Sequence, residues 1–487
     1  MNFFSSSFFL QLILIFNIIK ITTNKSPLVL KFETITSNKL TPDNYFETIF
    51  QNEPKVIIKV GTHRQTIPCY LNINTPTTYI SGSNSNLEKG QIKYEEKQST
   101  KYKNISDKET SESFYVYGTP SIDEVCLNDE KIIEVKFYLA RTKFSSNKLS
   151  YSCVLGLGYD EFFYDEDDNK QYREVLESFI LQMKNNNIIK KKLFFISYNS
   201  NNDNDDNGEV VFGVFPHDIK ENNEKYCEAC NEENYIEISN IINKLEVKWS
   251  VKGYTYMGEK MIFEYLCSFE FELTQGFIIG SYNYRKNVEE DFFNDKISNN
   301  ECFQNEIFMQ NNAFYGYYCN KNVNITQFKN LILLIDKIQY KIEFNYDDLF
   351  TENNGFYYFN VLFPQDEDPF HNDFILGKPF FKKYPMVFNT NGRAEKIGFY
   401  QNLLFKKKEK NNETIDENKN ANENENENNN GKGNKLIIIL IIIGIIIIGL
   451  LIYISIKYFK RPRKQKVNEL IEFFDYSSVQ NVQKNII

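Results

Sequence analysis

Histidine is scarce in this chain of 487 residues: there are three, His63, His217 and His371, scattered along it, and no G-x-S-x-G occurs. A Ser-His-acid hydrolase needs a nucleophile with a base beside it, and nothing here supports that class. Metal-binding spacings are lacking as well. Cys227-x-x-Cys230 stands without a second pair or a nearby histidine, so it reads as a disulfide or loop staple rather than a zinc or redox site. The loop Asn201–Gly208, NNDNDDNG, lacks the ligand spacing of an EF-hand and reads as a solvated insertion. No metal and no cofactor is expected. Excess positive charge is absent too. The formal net charge is −9, which argues against nucleic acid as a partner.

Aromatic residues are abundant, with 43 Phe and 32 Tyr, and hydrophobic residues make up 41% of the chain. That is enough for packed cores and favours strands over helices. The length exceeds what one core organises and suggests two or three folding units. The apolar run Phe3–Ile21, followed by Thr22-Thr23, reads as a signal peptide, with a buried helix as the alternative. Leu436–Ile456 carries no charge and would span about 31 Å as a helix, enough to cross a bilayer. Lys457, Lys460, Arg461, Arg463, Lys464 and Lys466 follow it closely, whereas Lys432 and Lys435 precede it. The C-terminal end is therefore expected in the cytoplasm and the bulk of the chain in the lumen or outside the cell, as a single-pass type I protein of the secretory pathway. Eight cysteines and the N-x-S/T sites at Asn24, Asn104, Asn324 and Asn412 fit that compartment.

From Val56 onward, short apolar runs alternate with Asn, Ser, Asp and Gly clusters, the pattern of an all-β body. Five stretches carry more than periodicity. Gly61–Ile80, GTHRQTIPCYLNINTPTTYI, contains Gly61, Thr62 and Gln65 as G-T-x-x-Q, then an apolar approach to Asn72-Ile73-Asn74. Tyr117-Gly118-Thr119 follows in SFYVYGTP, and then SCVLGLGY at Ser152–Tyr159. Phe269–Ser281, FEFELTQGFIIGS, holds Glu272-Leu273-Thr274 ahead of Ile278-Ile279-Gly280. Phe374–Tyr400 carries Ile375-Leu376-Gly377, Val387-Phe388 and Ile397-Gly398-Phe399.

In this order and spacing the five stretches resemble the pepsin-like aspartic proteases over roughly residues 45–405. The resemblance implies a mainly β, bilobal fold with a cleft between two similar β lobes, with one transmembrane helix added behind it. The boundaries it suggests are a signal peptide at 1–23, a possible propiece or first strand at 24–54, an N-terminal lobe at 55–215 and a C-terminal lobe at 216–405. A disordered stalk at 406–435, the membrane helix at 436–456 and a cytoplasmic tail at 457–487 complete the chain.

Counted without a gap, the two catalytic Asp positions of the family fall on Asn72 and Glu272; a frame shifted by two would place Asn74-Thr75-Pro76 at the first. Tyr117, Gly118 and Thr119 resemble the tip of the hairpin flap over the substrate, and Cys302 and Cys319 resemble the second-lobe disulfide. Cys69 is expected to pair with Cys126 or Cys153. In the family one carboxylate is the base toward water while its protonated partner polarises the peptide carbonyl. Asn72 cannot exchange that proton, and the extra methylene of Glu272 displaces its carboxylate by about 1.5 Å. Ile73 and Leu273 replace the threonines that tie the loops, and Asn74 and Thr274 replace glycines. The expectation is a catalytically inactive, monomeric homologue that binds a peptide or protein. The alternative is a divergent active endopeptidase using Glu272 and a second acid.

Overall fold

The computed structural model describes residues 27–34, 40–50, 53–106, 110–111, 116–128, 131–142, 149–159, 176–198, 207–219, 230–240, 248–309, 312–365, 373–392 and 394–400. The expected signal peptide, stalk, membrane span and tail lie outside the described residues, among which no helix is long and apolar enough to cross a membrane.

The first strand, β1 (Leu28–Glu33), alternates in and out, burying Leu28, Leu30 and Phe32. A short helix, α1 (Tyr45–Phe50), separates it from β2 (Lys55–Val60) and β3 (Gln65–Asn72), which pair antiparallel. Gly61 closes the turn between them at φ 76°, a conformation open to glycine. After β4 (Tyr79–Ser81) comes a long hairpin of β5 (Val116–Asn128) and β6 (Lys131–Thr142). β7 (Cys153–Gly156) then runs parallel to β3, with Asn72 opposite Gly156. Helix α2 (Phe179–Asn185) begins where Ser178 caps it by accepting from the Leu181 amide at 3.3 Å. β8 (Leu193–Tyr198) and β9 (Gly208–Phe212) pair antiparallel.

The second half repeats the plan. β10 (Tyr235–Ser239) and β11 (Ser250–Met257) lead to β12 (Cys267–Phe271), then to β13 (Ile278–Ile279) and helix α3 (Tyr282–Val288). β14 (Cys302–Met309) and β15 (Asn312–Asn320) make a hairpin, followed by β16 (Leu331–Ile335), β17 (Tyr340–Phe344), β18 (Phe356–Phe359) and β19 (Val361–Pro364). The chain closes with β20 (Phe374–Leu376), α4 (Lys378–Lys383), β21 (Met386–Asn389) and β22 (Lys396–Tyr400). β12 and β20 run parallel, as β3 and β7 do in the first half.

Two sheets result, of fourteen and twelve strands. Sheet membership crosses residue 215: β10, β22 and β21 from the second half continue the first sheet through the β21–β8 pair, where Asn389 faces Leu193. The second half is thereby hydrogen-bonded into the first. Cys69 pairs with Cys153, between β3 and β7, which settles the choice left open by the sequence; Cys302 pairs with Cys319 across the β14–β15 hairpin. Cys126 and Cys267 are buried free thiols. Cys230 is disulfide-bonded, while Cys227 lies outside the described residues.

Candidate functional site

The two triplets make the same turn, which supports the ungapped frame. At the end of β3 the Oδ1 of Asn72 accepts from the Asn74 amide at 2.8 Å, and after β12 the Oε1 of Glu272 accepts from the Thr274 amide at 3.3 Å. Such a bond, from the residue two positions on, fixes an Asx-type turn. Behind each turn a glycine admits the backbone. A Cβ on Gly156 would lie 2.3 Å from the carbonyl oxygen of Thr77, and one on Gly377 would lie 2.2 Å from that of Phe277. Thr77 and Phe277 stand five residues after Asn72 and Glu272 respectively, so the two halves share one construction.

Ile73 and Leu273 are buried and make no hydroxyl tie between the loops. Other residues supply it. The Nδ2 of Asn74 reaches across the halves to the Phe271 carbonyl at 2.9 Å and to the Oε2 of Glu272 at 2.8 Å. Its Oδ1 accepts from the Trp249 amide at 3.0 Å. The indole Nε1 of fully buried Trp249 donates to the Ile73 carbonyl at 2.8 Å. Asn74, which in the sequence stands at a glycine position of the family or, in the frame shifted by two, at its Asp position, is thus the main polar link between the loops. Thr274 adds a hydroxyl bond to the Oε1 of Glu272 at 2.6 Å, so both carboxylate oxygens already accept hydrogen bonds.

A cavity of about 130 Å³ opens beside these turns, lined by Phe50, Glu53, Tyr70, Asn72, Tyr79, Tyr151, Val154, Thr274 and Gln275. Glu53 is its buried acid, 9% exposed, and accepts from the Tyr151 hydroxyl at 2.8 Å. Burial pushes its carboxyl up to about 7; the Tyr151 bond and nearby Lys55 pull the other way, and the Glu272 charge adds to the rise. This acid escaped sequence reading because it lies in a stretch without a motif. Its one signal was a charge between the apolar Phe50 and the strand Val56–Val60.

A carboxyl held up in the fold binds its proton more tightly there than in the unfolded chain. Its stabilising contribution is therefore complete below an unfolded value near 4.5 and is lost as pH rises through about 7. The shift corresponds to about 3 kcal/mol. Urea unfolding at pH 4.5 and 7.5 is expected to show that loss in the native chain and a much flatter dependence in Glu53→Gln. Equal pH slopes for the two would remove the assignment.

Helix α1 contributes Phe50 to the cavity wall and packs on the second half. Its Tyr45, Phe46 and Phe50 pack with Phe277, Ile279, Ile307, Met309, Phe314, Tyr358 and Leu362 of the second half. Tyr45 stacks on Tyr358 at 3.7 Å, and the Ile49 carbonyl sits where a Cβ on Gly276 would be, 2.3 Å away. Segment 24–54 therefore contains both a first strand and a helix laid on the opposite half.

Thr110 and Ser111 pair with Gly118 and Tyr117, and Tyr117, Gly118 and Thr119 lie inside β5; residues 112–115 lie outside the described residues. Thr119 is buried and accepts from Arg141 at 3.0 Å; neither it nor Gly118 lines the cavity. His63 sits by the Thr62 hydroxyl on the surface. His217 stacks on Phe215 and lies 2.8 Å from the Tyr400 hydroxyl, its pKa lowered by burial. His371 lies outside the described residues. Burial pushes the Cys267 thiol up to about 11, which leaves it unreactive. Among the described residues no group of three or more His, Cys, Asp or Glu is placed to hold a metal ion.

The family model described as eukaryotic aspartyl protease matches residues 19–402. No curated protein matches the chain.

Proposed function

Because the chain belongs to the eukaryotic aspartyl protease family, we propose that it is a membrane-anchored, catalytically inactive member whose cleft binds a peptide or protein. One observation carries this reading. The Asp positions hold Asn72 and Glu272, and both oxygens of Glu272 are engaged by Asn74 and Thr274, while the turns themselves keep the paired construction of the fold. An amide at Asn72 can hydrogen-bond a ligand carbonyl but cannot alternate between base and acid. The paired disulfides and the family fit an oxidising lumen. The apolar runs at 3–21 and 436–456 supply the leader and the anchor of this proposal.

A second reading is favoured by Glu53. It is a buried acid in the same cleft, sensitive to the charge of Glu272, and it would serve as the protonated partner of a divergent endopeptidase. Digestion of a peptide library from pH 4 to 7 separates the two. The inactive reading expects no cleavage above background in the native chain or in Glu272→Ala and Glu53→Gln. Cleavage that either substitution abolishes would establish the enzyme.

A further inference from the structure

Resting on the cleft-binding reading, we propose that the cavity beside Asn72 seats one basic side chain of the bound peptide, a lysine ammonium that reaches Glu53 between aromatic walls. The cavity, of about 130 Å³, would take a flexible four-carbon stem ending in three donors. Phe50, Tyr70, Tyr79 and Tyr151 line it, and ring faces attract cations. Tyr70 already does so on this protein, carrying the Lys55 Nζ at 4.6 Å from its ring centre.

The polar lining asks for a donor rather than an acceptor. Glu53 has one hydrogen bond, from Tyr151, and the buried Oε1 of Gln275 has no partner among the described residues. An ammonium brings three donors and no acceptor, so it meets the Glu53 carboxylate without leaving a new orphan. A ligand carboxylate would face Glu53 and the field of Glu272 and be repelled. An alkyl chain of the same length would fill the volume and leave Gln275 unpaired.

The charges that face Glu53 set the pH response. Lys55 lowers its proton affinity, Glu272 raises it, and the Tyr151 hydroxyl stabilises the ionised form, but burial outweighs them and holds the carboxyl at about 7. An entering ammonium favours the ionised acid, so binding releases a proton below pH 7 and tightens as pH rises toward 8.

The test is calorimetric titration of the full-length chain with two hexapeptide pools, randomised except for lysine or norleucine fixed at the third position. The lysine pool is expected to bind at least tenfold more tightly at pH 7.5. In Glu53→Gln the preference is expected to fall below twofold. At pH 6, in buffers of different ionisation heat, the lysine pool is expected to release a proton from the native chain and none from the variant. Equal binding of both pools to the native chain overturns the lysine seat and leaves the cleft reading standing. Binding of neither overturns both.

Discussion

Replacing Cys69 and Cys153 together by alanine is expected to lower the unfolding free energy by about 4.5 kcal/mol. The bridge spans 84 residues of sequence and joins two parallel strands, β3 and β7, whose contact has no local connection. Chain entropy for a loop of that size gives about 4.5 kcal/mol of denatured-state freedom removed by the bond. The link sits three residues before Asn72 and three before Gly156, so its loss also loosens the register that presents Asn72 at the cavity. Guanidinium unfolding of native and doubly substituted chains checks this, with the slope compared as well as the midpoint. A loss below about 1 kcal/mol would mean that the sheet holds the register without the bridge. Removing Cys302–Cys319 is expected to cost less, since it closes a hairpin of 17 residues that is already paired along its length.

Trp249→Ala is expected to cost about 4 kcal/mol, within the range for deleting a large buried aromatic. Trp249 is the only tryptophan and is fully buried, with Tyr159 at 5.2 Å and Phe388 at 5.0 Å edge-on to its ring. The ring thus contacts residues of both halves, and its Nε1 satisfies the carbonyl of Ile73, the residue next to Asn72. Trp249→Phe separates packing from the hydrogen bond. It keeps most of the apolar contact and leaves the Ile73 carbonyl unpaired, for about 1–2 kcal/mol. Far-ultraviolet circular dichroism follows both variants, because each has lost the fluorescent reporter. If alanine and phenylalanine cost the same, packing of the ring contributes little and the assignment is wrong.

Local pattern made the strands and the two turns legible. Asn72 and Glu272 are read from local spacing, the first by counting on from Gly61-Thr62-x-x-Gln65 and the second by counting back from Ile278-Ile279-Gly280. Tyr-Gly-Thr suits a strand as well as a turn, and only the pairing of Thr110 with Gly118 shows that Gly118 lies in a strand. Helix α1 had a signal, Tyr45, Phe46, Ile49 and Phe50 at helical spacing, but six residues are too few to stand out from a strand.

By itself the sequence determined the family, the mainly β body and the apolar runs at both ends, because each of these is written in neighbouring residues. Tertiary structure alone decided which polar groups surround Asn72 and Glu272. Asn74 meets Glu272 from 198 positions away, Trp249 meets Ile73 from 176, and Glu53 becomes a buried acid only when Tyr151 closes over it. Pairing energies and desolvation depend on distance in space, and no pattern along the chain records which polar groups will be shut away from water together.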